Sequence, residues 1–119
     1  MAVAILTDWD YALVLSIGDE ARITVLQAID DERDAQVEKF GEQHHPDGTN
    51  DVDFALQSAH FRMECEAATE HGFLTWRHIL REEVYEAFAE TDPEKLKTEL
   101  IQVAAVAAAW IQDINGRTS

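Results

Sequence analysis

The 119-residue sequence predicts an all-α fold of four helices, and three observations carry that reading. The chain holds only two prolines and five glycines, among many Ala, Leu, Glu and Gln, a composition that favours helices over sheets. Apolar residues recur at three- and four-residue spacings along several segments. Between those segments lie the residue types that start and stop helices.

Residues 1–18 read as an N-terminal arm without a firm assignment. Its "YALVLSI" suits a short strand, a packing arm or part of a subunit contact, and Gly18 is expected to break it. From Asp19 a first helix carries Ile23, Leu26, Ile29, Val37 and Phe40 as a stripe, with Gly41 as its stop. "GEQHHPDGTND" has the Pro, Gly and Asx chemistry of a loop. A second helix covers about 51–70 and ends near Gly72, and a third covers about 74–89. In "ETDPEKL" the chain restarts, with Asp92 as N-cap, Pro93 at the first helical position and Glu94 in the first turn. This fourth helix runs to about Ile114, where Asn115 and Gly116 form the expected stop. The short link makes helices three and four an antiparallel hairpin. Residues 1–119 read as one domain.

With 46% apolar and 28% charged residues the chain is globular rather than disordered. Its net charge of −15 repels phosphate backbones, which argues against nucleic acid as a partner and allows a pocket that collects cations. The single cysteine, Cys65, excludes an internal disulfide and fits a reducing cytoplasm. The opening "MAVAILTDWDYALVLSIGDE" lacks a basic flank, and Asp8 and Asp10 interrupt its apolar run. No stretch reaches the roughly 20 apolar residues of a membrane span. A cytoplasmic protein with no membrane contact is expected.

On a wheel of about 100° per residue with Trp76 at zero, Glu83 falls near 340°, among Ile79, Leu80 and Ala87. Glu86 falls on the rim of that arc at about 280°, and Glu82 further out at about 240°. On helix four, with Leu96 at zero, Glu99 lies near 300° between Val106 and Trp110, flanked by Gln102 at about 240°. A carboxylate in a core-facing stripe needs a partner, because burying it bare is costly. On adjacent antiparallel helices these groups converge, and three or four oxygens closing on one point suit Mg²⁺ or Mn²⁺. The plainer reading is a salt-bridged pair of helices in which Arg77, Arg81, Lys95 and Lys97 partner the acids at i, i+4 spacings.

The residues also resemble a known family. "EEVYEA" followed by "ELIQ" is similar to the E-x-x-E, spacer, E-x-x-D motif of the MazG-like all-α nucleoside triphosphate pyrophosphohydrolases. The upstream "ERDAQVEKFGEQHHPDGT" resembles the R-x-x-Q-x-x-K-W-G-x-Q-x-H-P-D-G stretch of small phage and bacterial members, and "TWRHILREEV" resembles their lead into the metal helix. The likeness covers about residues 22–115, and the spacer from Glu86 to Glu99 is twelve residues, at the short end. It implies metal-dependent hydrolysis of a (d)NTP to the (d)NMP and pyrophosphate, with the purine deoxynucleotides dATP and dGTP as one candidate class. It implies Glu83, Glu86 and Glu99 as metal ligands, with Gln102 standing where an aspartate is usual and Phe40 where a tryptophan is usual.

On this reading Glu82 or Glu86 takes the proton of a water attacking the α-phosphorus. Lys39 neutralises the triphosphate, and Phe40 and Trp76 contact the base. Helix four's broad apolar coverage ("LIQVAAVAAAWI") and the family's shared pockets point to a homodimer or homotetramer. His44, His45, His60, His71 and Cys65 match no compact zinc pattern. Cys65 reads as a buried thiol, and His78 as a surface histidine opposite the core. The rivals are an acidic helical protein that binds a basic partner and a degenerate family member that binds nucleotides without hydrolysing them.

Overall fold

The structure, a computed structural model, describes the backbone of residues 8–118 and the side chains of residues 20–117. Four helices follow one another: α1 (Asp8–Phe40), α2 (Val52–His71), α3 (Trp76–Phe88) and α4 (Pro93–Thr118). No strand occurs among the described residues, so the chain is all-α. The chain divides into two compact units, one formed by residues up to Gln43 with those from Ile111 onward, the other by His44–Trp110.

In the first unit, α1 begins eleven residues before the expected start at Asp19, and Gly18 lies inside it. Residues 8–18 of the expected arm are therefore helical, and residues 1–7 lie outside the described residues. A lone glycine costs a helix only about 1 kcal/mol against alanine, too little to stop a run of good helix formers on both sides. The true stop is Gly41: its N–H still donates to the Val37 carbonyl at 2.8 Å, and its positive φ of 69° then turns the chain out of the helix. At the far end α4 runs through Asn115 and Gly116 to Thr118, so neither residue ends it.

The second unit holds the α2–α3 contact. Asp51 caps α2 by accepting the Asp53 N–H at 2.9 Å. Gly72, at φ 80°, closes it, with Phe73 N–H donating to the Ala68 carbonyl at 2.9 Å. Ser58, Cys65 and Ala68 are the buried residues of α2, and their spacings of seven and three put them on one face. Phe54 and Phe61 of α2 meet Tyr85 and Phe88 of α3, with Phe61–Tyr85 ring centroids 4.8 Å apart and Phe54–Phe88 5.2 Å apart. The preceding loop is fastened to the same place, since Asn50 N–H donates to the Phe88 carbonyl at 2.8 Å.

Helix α3 starts at Trp76 because Thr75 caps it. The Thr75 hydroxyl accepts the His78 N–H at 3.2 Å, and His78 Nδ1 accepts the Thr75 N–H at 3.2 Å. This is a capping box with histidine in the place usually held by Glu or Gln. His78 is thus half-buried, not the surface histidine that the wheel suggests, and it is engaged in the cap. After α3, the Glu90 carboxylate accepts the N–H groups of Thr91 and Asp92, and Asp92 in turn accepts the Lys95 N–H at 3.2 Å to begin α4. Leu96 is buried one turn on. Among the described residues no helix is long and apolar enough to cross a membrane.

Candidate functional site

Within the second unit, α3 contributes Glu83 and Glu86, one helical turn apart, and α4 contributes Glu99. Carboxylate oxygens of the three lie within 4.8 Å of one another, and all three side chains are half-buried. Burial and the negative charges around them push the carboxyl groups of Glu83 and Glu86 above the usual range. For Glu83 burial acts most, followed by Glu86, Glu99 and Glu82. For Glu86 burial again leads, then Glu82 and Glu99, and Arg62 partly offsets them.

Gln102 joins the group from one turn beyond Glu99. Its amide is oriented by its neighbours, because an oxygen turned toward them would face only acceptors. With the nitrogen toward them, Nε2 donates to Glu83 Oε2 at 3.1 Å and to Glu99 Oε2 at 3.2 Å. In that orientation the amide bridges α3 and α4 through two charge-assisted hydrogen bonds.

The flank of α3 that faces α2 is charged as well. Arg62 reaches across from α2 to Glu86 (Nη2–Oε1 3.4 Å) and toward Glu82 (Nε–Oε1 3.9 Å). Glu82 is as enclosed as Glu86, with 21% of either side chain exposed, although the wheel puts it further from the core. A wheel drawn against one neighbour omits the second helix, and α2 is what covers Glu82. The Cys65 thiol also donates to Glu82, and burial first, then that bond and the surrounding carboxylates, push the thiol up to about 11. Arg81 pairs with Glu64 of α2 and lies 4.1 Å from the centre of the Phe61 ring. Glu64 also accepts from His60, at 2.8 Å.

Sequence spacing does not reveal Arg62 or Glu64, because their partners lie 24 and 17 residues away on another helix. Of the expected i, i+4 partners, Arg81 binds across helices, whereas Lys97 pairs locally with Glu94 at 3.2 Å. Lys95 lines a cleft with Glu90, Glu94, Thr98 and Glu99.

The remaining candidates are dispersed. Lys39 and Phe40 belong to the first unit, where the Lys39 ammonium sits 5.2 Å from the Phe40 ring centroid. Trp76 is half-buried at the start of α3, two turns before Glu83. A second acidic group, Asp30, Asp31 and Asp34, is exposed on the single helix α1. Only Glu83, Glu86 and Glu99, with Gln102 between two of them, draw acidic side chains from two helices into a half-buried cluster among the described residues.

The donor set of that cluster is all oxygen, without thiolate or imidazole, which fits a hard divalent cation. Its raised carboxyl groups carry negative charge that Arg62 offsets only at Glu86. No protein-family model matches the chain, and comparisons with curated proteins and with solved structures return no match.

Proposed function

We propose that the chain is a MazG-like nucleoside triphosphate pyrophosphohydrolase, which cleaves a (d)NTP to the (d)NMP and pyrophosphate with Mg²⁺ or Mn²⁺. The observation that carries this reading is the half-buried meeting of Glu83, Glu86 and Glu99 from two helices. The twelve-residue spacer and the four-residue link from α3 to α4 support the antiparallel hairpin of that family. The candidate substrates are nucleoside triphosphates, with dATP and dGTP the first to try.

Glu83, Glu86 and Glu99 would hold the ion. Bound there, a divalent ion supplies charge that offsets the phosphate oxygens and acidifies an attacking water. Glu82 stands outside the group of three, and the Cys65 thiol and Arg62 hold it in place. It is therefore the carboxylate left to take the proton of the water. Arg62, 54% exposed beside Glu86, places a cation where an anionic substrate would arrive. Lys39 and Phe40 lie in the first unit and are assigned no step.

Assembly belongs to the same proposal. Val52, Leu56 and Met63 follow one another at spacings of four and seven on α2 and remain 72%, 66% and 67% exposed. An apolar stripe of that kind suits a second copy of the chain in a homodimer or homotetramer.

Incubating a panel of dNTPs and NTPs with the protein and Mg²⁺, then separating the products, tests the activity. Monophosphate and pyrophosphate are expected, with loss of turnover in Glu83→Gln and Glu99→Gln. Diphosphate with phosphate would contradict the bond assignment. Tight nucleotide binding without turnover would favour a non-hydrolysing binder, a reading that Gln102 motivates because its amide engages two of the carboxylates. Glu82→Gln is expected to lose turnover while keeping metal affinity, whereas Glu86→Gln loses both.

A further inference from the structure

A capping box normally uses Glu or Gln, whose side-chain oxygen accepts a hydrogen bond in either charge state. At the start of α3 an imidazole takes that place. His78 Nδ1 lies 3.2 Å from the Thr75 backbone nitrogen and 2.5 Å from the Thr75 hydroxyl oxygen. Only a lone pair on Nδ1 can receive the backbone N–H, which leaves the ring proton on Nε2. An imidazolium carries a hydrogen on each nitrogen and accepts nothing.

We propose that His78 is a pH-sensitive catch on the corner between α2 and α3: its neutral ring closes the capping box, and its protonation opens the backbone half of that box. Nothing in this depends on a bound cation.

In the protonated state the Thr75 N–H would face another N–H at the same 3.2 Å. The hydroxyl half survives by reversing, with Nδ1–H donating to a Thr75 oxygen that still accepts from the His78 N–H. The new charge also sits in the first turn of α3, where the helix macrodipole opposes a cation. Thr75 is exposed, so water takes over the released N–H and the opening stays local. The closed box therefore contributes above the range in which imidazoles change charge, about pH 6.5, and is lost as the pH falls through it.

The charged neighbours of His78 come from two helices. On α3, Arg77 precedes it, and Arg81 and Glu82 follow three and four residues on. Arg81 is already paired with Glu64, and Glu82 is engaged by Cys65 and Arg62. The last turn of α2 carries Glu70 and His71. The Phe73 ring links the two histidines, with centroids 6.1 Å from His71 and 6.4 Å from His78. His71 is thus the second group whose charge could be felt at this corner.

NMR of the ¹⁵N-labelled full-length chain with chelator present, followed across the imidazole range, tests the catch. At neutral pH the His78 ring is expected as the Nε2–H tautomer. As the ring protonates, protection of the Thr75 amide from exchange, relative to an unprotected amide at the same pH, should fall about fivefold. In His78→Gln, whose amide oxygen preserves the box, Thr75 protection should stay constant over that range. In His71→Gln the response of the natural protein should persist. A proton on Nδ1 at neutral pH, or constant Thr75 protection while the His78 ring titrates, overturns the proposal. So does a response that survives in His78→Gln or vanishes in His71→Gln, because it would belong to His71.

Discussion

The guanidinium of Arg62 lies 3.4 Å from the carboxylate of Glu86, so one member of the three-carboxylate group already has a cation beside it, supplied by α2. The pair is partly exposed, and such pairs contribute about 0.2–1 kcal/mol. Its larger effect is on protonation, because Arg62 lowers a Glu86 carboxyl group that burial and neighbouring acids raise. In Arg62→Gln the Glu86 carboxyl is expected to titrate at higher pH still, followed by ¹³C NMR of the metal-free protein. An unchanged titration would mean that the contact carries no electrostatic weight.

Glu83 and Glu86 both titrate above the ordinary glutamate range, and this fixes the sign of their effect on stability. A carboxyl group whose pKa is higher in the folded chain binds its proton there first. Acidification through that raised value favours the fold, and the carboxylates oppose it at neutral pH. Glu83→Gln is therefore expected to raise the Tm of the metal-free protein at about pH 7.5. The gain should fade as the pH approaches the ordinary glutamate value of about 4.3. A gain that persisted unchanged at low pH would point to packing instead of charge.

Metal should reverse that penalty. A ligand that binds only the folded chain at a hundred times its Kd stabilises it by about 2.7 kcal/mol. Mg²⁺ added after chelator treatment is expected to raise the Tm of the natural protein and to leave Glu83→Gln nearly unmoved. Equal shifts in both would indicate a cation bound elsewhere.

Cys65, with its thiol pushed up to about 11, is expected to be nearly inert. Near pH 8 its thiolate fraction is about a hundredfold below that of a free thiol, so disulfide reagents should label the native protein about that much more slowly than the unfolded chain. Glu82→Gln removes a negative neighbour that raises the thiol, and labelling should quicken. Slower labelling in that variant would refute the Cys65–Glu82 contact.

Ala68 is fully buried on the face of α2 that packs against α3, while its neighbour Ala67 is exposed. Ala68→Leu is expected to cost about 1–3 kcal/mol through overpacking, and Ala67→Leu to stay within about 0.5 kcal/mol. Urea unfolding measures both. Equal effects would show that α2 does not present this face to α3.

Much of the helical pattern is legible in the sequence because caps act locally. Asp92 before Pro93, Gly41 and Gly72 do what their chemistry suggests. Gly18, Asn115 and Gly116 do not, because one poor helix residue is outweighed by the turns around it. Glu83 among apolar neighbours is legible from periodicity. Arg62, Glu64 and the enclosure of Glu82 are not, because they depend on which face of α2 meets α3, and neither helix records that alone. The donor role of Gln102 is likewise absent from spacing, since an amide shows two opposite ends and only its surroundings choose between them.

The turn between α3 and α4 sets the phase of one helix against the other. Glu90 holds the N–H groups of Thr91 and Asp92, and Asp92 holds that of Lys95, so almost no slack separates Phe88 from Pro93. One residue added there would rotate the face carrying Glu99 by about 100° relative to Glu83. Length at residues 89–92 thus works like the timing mark between two meshed gears. A chain with every acidic residue intact and the turn lengthened by one would present two separate acidic faces instead of one cluster.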